Sequence, residues 1–192
     1  MRKYIAAALV SLCAATSFAQ KAQVWKLEPE AVFGIPIGGA LENDRISECG
    51  GVKADAEKHP IAVCAMQRPG YGGILIAGFP VPVFDNGFIN REDGVVTTLV
   101  LNGKHKDYKD IKTLLVERYG KPTLSKVERL QNKMGATFTS EVLYWNGKKV
   151  GLTLHERSGT VDETSALFTS LAHAKKTVRD REIDLKDAAS KM

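Results

Sequence analysis

The residues of this chain that could do chemistry are few and widely spaced. Its four histidines, His59, His105, His155 and His173, include no two at helical ligand spacing, so they form no zinc-type motif. Neither a Gly-x-Ser-x-Gly elbow nor a Cys-x-x-Cys pair occurs. Glu156, Asp162 and Glu163 flank one loop, where paired carboxylates with His155 nearby could serve a small hydrolase of envelope polymers. Spacing within a loop fixes no distance, however, and solvated acids at a hairpin tip are the commoner outcome. Pro69-Gly70-Tyr71-Gly72-Gly73 has the glycine content of a phosphate cradle but lacks the lysine and hydroxyl of a P-loop, so bends between strands account for it. Asp85-Asn86-Gly87 opens like a calcium loop without the alternating oxygen ligands that would continue one, and reads as a turn. These patterns lead us to expect no catalytic set, no metal and no cofactor.

Binding chemistry is better represented. Tyr71, Tyr144, Trp145, His155 and Arg157 are the candidate binding surface, because aromatic rings and arginine dominate interface hot spots. Core packing is the alternative for the rings. Of the three cysteines Cys13 lies in the leader described below, leaving Cys49 and Cys64. An even count in an oxidising compartment points to a disulfide. A redox pair would need Cys-x-x-Cys spacing, and half a metal site would need more ligands than His59, the one histidine between them.

The element best placed to organise these residues runs from Gly94 to Thr123. Val95 to Leu101 alternates with apolar or β-branched side chains on both faces, as a well-covered interior strand requires. Asn102-Gly103 reads as a turn, after which Tyr108, Ile111, Leu115 and Tyr119 line one stripe of a helix over 107–119. Asp107 stands at its N-cap, Gly120 at its end, and Pro122 prevents continuation. Before it, Val24 to Ile37 reads as extended and Leu41 to Ile46 as a short helix. Gly50 to Pro60 reads as a surface loop under the disulfide, and Ile61 to Met66 as a buried strand. After it come a strand over 124–130, a turn over 132–135, and a hairpin whose strands, 137–145 and 148–156, meet at Asn146-Gly147. That dipeptide predicts a type I′ turn with positive φ at both residues. Ser165 to Leu171 can return as a further strand. The segment 171–192 is charged and helix-favouring, with Leu171, Ala174, Val178, Leu185, Ala188 and Met192 at a/d spacing and Arg181 breaking the seam; a partner-binding helix and a solvated terminal helix both fit it.

Residues 1–19 combine a basic start (Arg2, Lys3), an apolar run from Ile5 to Ala15 and small residues at 17 and 19, the pattern of a cleaved export signal. The apolar run falls short of the ~20 residues that span a bilayer. A chain beginning at Gln20 has about 170 residues, enough for one domain over 20–170 with its own core, followed by the terminal helix. The full chain carries 27 basic and 22 acidic residues; loss of Arg2 and Lys3 lowers the formal charge from +5 to +3. So mild an excess, without a run of like charges, argues against nucleic-acid binding. The expected location is the periplasm or outside the cell, with no membrane span after the leader.

Phe33-Gly34-Ile35-Pro36-Ile37-Gly38 followed by a cysteine, Tyr119-Gly120-Lys121-Pro122-Thr123, and Gly135-Ala136-Thr137-Phe138 with Trp145 resemble a family of small exported bacterial proteins of unknown function. The resemblance stops before the charged C-terminal segment and carries no activity with it. More remotely, the plan of helix, Gly-Lys-Pro and strands is similar to small α/β envelope proteins that bind other proteins, such as the beta-lactamase inhibitory protein and outer-membrane assembly lipoproteins. The expected fold is therefore α+β, a mainly antiparallel sheet covered by one central helix with a second helix at the C-terminus. The expected function is non-catalytic binding of another envelope protein as an adaptor, inhibitor or immunity-type protein. A small-ligand carrier using segment 69–87 and the hydrolase named above are the alternatives.

Overall fold

The computed structural model describes residues 25–50, 61–67 and 73–191. The leader, nearly all of the loop between the cysteines, and the Pro69–Gly72 stretch with Tyr71 lie outside the described residues. The strands are β1 (Ala31–Val32), β2 (Ile35–Pro36), β3 (Cys64–Gln67), β4 (Ile74–Ala77), β5 (Asn86–Glu92), β6 (Val95–Lys104), β7 (Leu124–Gln131), β8 (Thr137–Asn146), β9 (Val150–His155) and β10 (Glu163–Ser170). The helices are α1 (Tyr108–Tyr119) and α2 (Leu171–Ser190). β1 and β2 form a small ribbon, and the other strands make one antiparallel sheet in the order β3-β4-β5-β6-β10-β9-β8-β7. Two meanders thus meet at β6 and β10, and α1 carries the chain from the sheet centre to its far edge. The architecture is α+β.

The helix forms as its periodicity requires. Tyr108, Ile111, Leu115 and Tyr119 are its buried residues. They meet Leu99 and Leu101 of β6, Leu143 and Trp145 of β8, Leu152 and Leu154 of β9 and Phe168 of β10 in one apolar core. The Asp107 side chain makes no capping bond; a short 3-10 turn over His105–Asp107 leads into the helix instead.

Glycine and asparagine act differently here from their local propensity. Asn102-Gly103 is not a turn, because β6 runs through both residues to Lys104. Asp85-Asn86-Gly87 is not a turn either, since Asn86 begins β5. Asn86 and Asn102 lie directly opposite one another, and the Asn102 Nδ2 donates to the Asn86 Oδ1 at 2.9 Å. At Gly103 an added Cβ would stand 2.4 Å from the Val83 carbonyl oxygen, so this strand needs a residue without one. The predicted type I′ turn at Asn146-Gly147 is also corrected: neither residue has positive φ. That conformation occurs at Phe33-Gly34 and Asp93-Gly94, where both φ values are positive, between β1 and β2 and between β5 and β6. Residues 41–46 hold only a 3-10 turn, Asn43–Arg45, in place of a short α-helix.

The two edges of the sheet differ. Beyond β3 the chain is tied down by the Cys49–Cys64 disulfide and by Ala65, whose N–H donates to the Ser47 carbonyl at 2.7 Å and whose carbonyl accepts the Cys49 N–H at 2.9 Å. β7 ends the sheet at the other side, and all its residues but Leu130 are exposed. α2 leaves the end of β10 with Val178, Ile183 and Leu185 exposed.

Candidate functional site

Side chains alternate between the faces of a strand, so the cross-strand register assigns each residue to a side of the sheet. One face carries α1 and the core. On the other, the register aligns Leu75, Phe88, Val100, Leu167, Thr153, Tyr144 and Leu124 in an unbroken row from β4 to β7. The first six of these are half-buried and Leu124 is 44% exposed. The sequence reading expected both faces of β6 to be covered. The structure puts Thr97, Leu99, Leu101 and Gly103 against the core and leaves Thr98, Val100 and Asn102 only half-buried on the opposite side.

Three of the five residues of the predicted binding surface fall together on this open face. Tyr144 pairs with Thr153, and His155 with Val142, in the register that puts both on the same side. Arg157 follows two residues later, its backbone N–H donating to the Ser140 Oγ at 3.1 Å and its guanidinium lying 5.3 Å from the centre of the Phe138 ring. The Lys126 ammonium sits 5.5 Å from the Tyr144 ring. The face therefore joins an apolar row to cations held over aromatic rings. Trp145 points the other way: it is fully buried, and its Nε1–H donates to the Gly120 carbonyl at 2.7 Å. Its ring is core, not surface. Tyr71 lies outside the described residues.

Sequence reasoning missed a polar cluster on the helix-bearing face. The Glu141 carboxylate accepts the Tyr108 hydroxyl at 2.5 Å, the Lys112 ammonium at 2.6 Å and the Ser125 hydroxyl at 3.3 Å. Beside it, Glu156 accepts the Glu141 N–H at 2.7 Å and sits 3.1 Å from the His105 Nε2. Burial alone would raise both carboxyls, but these donors outweigh it and hold both below the usual carboxylate range. Two carboxylates kept ionised in this way are poor general acids. The hydrolase set is also separated: Glu156 lies with Glu141 on the helix face and His155 on the other, while Asp162 contributes a backbone carbonyl to the His105 N–H. No group of three potential metal ligands comes together among the described residues.

A cleft of about 410 Å³ opens on the helix side, between the β1–β2 turn, the second half of α1 and residues 81–84. Leu101 and Phe168 form its floor and Arg118 stands at its rim. Comparison with family models, with curated proteins and with solved structures found no match to this chain.

Proposed function

We propose that this is an exported, non-catalytic protein of the bacterial periplasm or cell exterior that binds another envelope protein through the open sheet face and the β7 edge. The observation that carries the reading is the half-buried row from Leu75 to Leu124, apolar but for Thr153, which runs across the sheet to β7, a strand whose outer side no described strand pairs. Tyr144, His155 and Arg157 supply the aromatic and cationic anchors such a surface uses. The leader-like residues 1–19 and the Cys49–Cys64 disulfide support an oxidising destination. No helix among the described residues is long and apolar enough to cross a membrane.

A photo-crosslinking residue placed at Tyr144, compared with one at Thr113 on the exposed side of α1, tests the reading in living cells. A discrete protein adduct from position 144 and none from 113 is expected. The adduct should persist in a chain ending at Leu171; an adduct lost with α2 would transfer the binding role to that helix. Indistinguishable patterns from 144 and 113 would remove the open face from consideration.

A further inference from the structure

The helix-side cleft has a composition that selects its occupant. Val32 and Phe33 come from the β1–β2 hairpin, Phe84 from the segment before β5, Leu114 from α1, and Phe168 from the floor. One wall is built from the rings of Phe33 and Phe84, 6.3 Å apart centre to centre, and Phe79, outside the lining, packs on Phe33 at 5.5 Å. The β1–β2 hairpin turns on Phe33 and Gly34, both at positive φ and both in the lining of the cleft. Among the described residues, Arg118 is the only charged one that lines the cleft; the nearest acids on the same helix, Asp110 and Glu117, line a separate depression beyond Val81 and Leu114. Next to Arg118 stands Tyr119, buried on the α1 stripe.

We infer that this cleft binds a small amphipathic carboxylate, with its hydrocarbon part among Val32, Phe33, Phe84, Leu114 and Phe168 and its carboxylate on the Arg118 guanidinium. The volume falls within the range of small-molecule sites, and its walls are apolar with one polar contact at the rim, as such sites generally are. A guanidinium offers a carboxylate a bidentate fork that fixes the head while apolar burial supplies most of the affinity. A cationic amphiphile of the same length would bury the same chain against an unpaired like charge. This site lies on the opposite side of the sheet from the open face, so it is independent of the proposed protein-binding role.

The test is calorimetric titration of the purified protein with hexanoate, octanoate and decanoate, and with decyltrimethylammonium as the opposite-charge probe. Decanoate should bind with one-to-one stoichiometry, each added methylene tightening binding by about fourfold until the cleft is filled. Arg118→Gln, an exposed substitution outside the core, should weaken decanoate at least tenfold with an unchanged circular dichroism spectrum. Leu114→Asp should also weaken it, by placing a charge of the ligand's own sign in the apolar path. Absence of decanoate binding at millimolar concentration, equal affinity for the two head groups, or unchanged decanoate affinity in Arg118→Gln would each overturn the assignment. None of these results would bear on crosslinking from Tyr144.

Discussion

The Glu28 carboxylate closes the β8–β9 hairpin by accepting the Lys148 backbone N–H at 2.9 Å, across 120 residues of sequence. It also accepts the N–H groups of Lys149 and Val150, so one side chain from near the start of the described chain satisfies three consecutive donors at the end of the loop and the start of β9. This contact explains why Asn146-Gly147 need not turn with positive φ. The loop wraps an anion, and a cluster of N–H groups around a carboxylate takes the place of the expected tight turn. Burial would raise the Glu28 carboxyl, but the three backbone donors outweigh it and lower it. A depressed folded-state value makes the contribution present above the unfolded pKa and lost as pH falls through the folded one. Glu28→Gln should therefore lower stability by about 1–3 kcal/mol at neutral pH. Its deficit against wild type should shrink as pH falls below about 4, measured as the difference in urea midpoints.

Gly103→Ala should destabilise the fold, although replacing glycine in a strand ordinarily helps. The new methyl would meet the Val83 carbonyl oxygen at 2.4 Å and the Ile111 Cδ1 at 2.8 Å, one of them backbone and neither free to retreat far. A loss of about 1–3 kcal/mol is expected from overpacking, read from chemical denaturation. Were Gly103 a turn glycine at a tolerant surface position, alanine would leave stability nearly unchanged.

This position shows what the sequence could and could not reveal. The stripe Tyr108, Ile111, Leu115 and Tyr119 was legible because a period of 3.6 has one physical reading on a helix, and the structure buries those residues. Asn86-Gly87, Asn102-Gly103 and Asn146-Gly147 share one local propensity and were all read as turns, yet none has positive φ. Two of them are drawn into strands by a cross-strand amide pair and by close backbone approach, and the third is shaped by Glu28. Such causes lie far along the chain and leave no local trace. For the candidate surface, His155 and Arg157 stand out in the sequence by side-chain type alone, and it is the register of β9 on β8 that puts His155 on the side of Tyr144. Choosing between Tyr144 and Trp145 required knowing which side α1 covers. Glu141 gave no signal at all, because its partners Tyr108, Lys112 and Ser125 come from other elements.

The Cys49–Cys64 disulfide holds the edge that β3 would otherwise expose. Its loop closure corresponds to about 3 kcal/mol on the chain-entropy model. Cys49→Ser should lower the melting temperature under oxidising conditions, and reductant should bring wild type down toward the variant while barely changing the variant. Equal melting of the oxidised pair would mean that the bond contributes nothing to stability.

Tyr108 gives an alkaline counterpart to Glu28. Burial raises its phenol, and the hydrogen bond to the Glu141 carboxylate raises it further, well past the ordinary tyrosine range. With the folded value above the unfolded one, the neutral phenol contributes fully below about pH 10 and loses its contribution above, where the unfolded chain ionises first. The stability difference between wild type and Tyr108→Phe should stay constant from neutral pH to about pH 9 and then move against wild type. A difference flat to pH 11 or beyond would contradict the raised phenol.

The open edge can be tested without knowing any partner, because the ladder predicts opposite outcomes at two adjacent residues. The Glu141 backbone carbonyl accepts the Glu156 N–H at 2.9 Å, so Glu141 directs its main-chain groups toward β9 and away from β7. Its cross-strand neighbour Val127 is then a non-hydrogen-bonded pair member, with its own N–H pointing outward from the sheet. Glu128, opposite Ser140, alternates with it and points its N–H inward to β8. Proline lacks that donor and is tolerated only where no ladder bond is lost. Val127→Pro should cost less than about 1 kcal/mol, whereas Glu128→Pro should cost about 1–3 kcal/mol by orphaning the Ser140 carbonyl. Comparable losses at both positions would mean that the outward row of β7 is already paired in the isolated protein, by a second copy or by residues outside those described. Strand addition by an envelope partner would then have no free edge to use. A tolerated Val127→Pro that abolishes the adduct formed from position 144 would instead place the partner's backbone along β7.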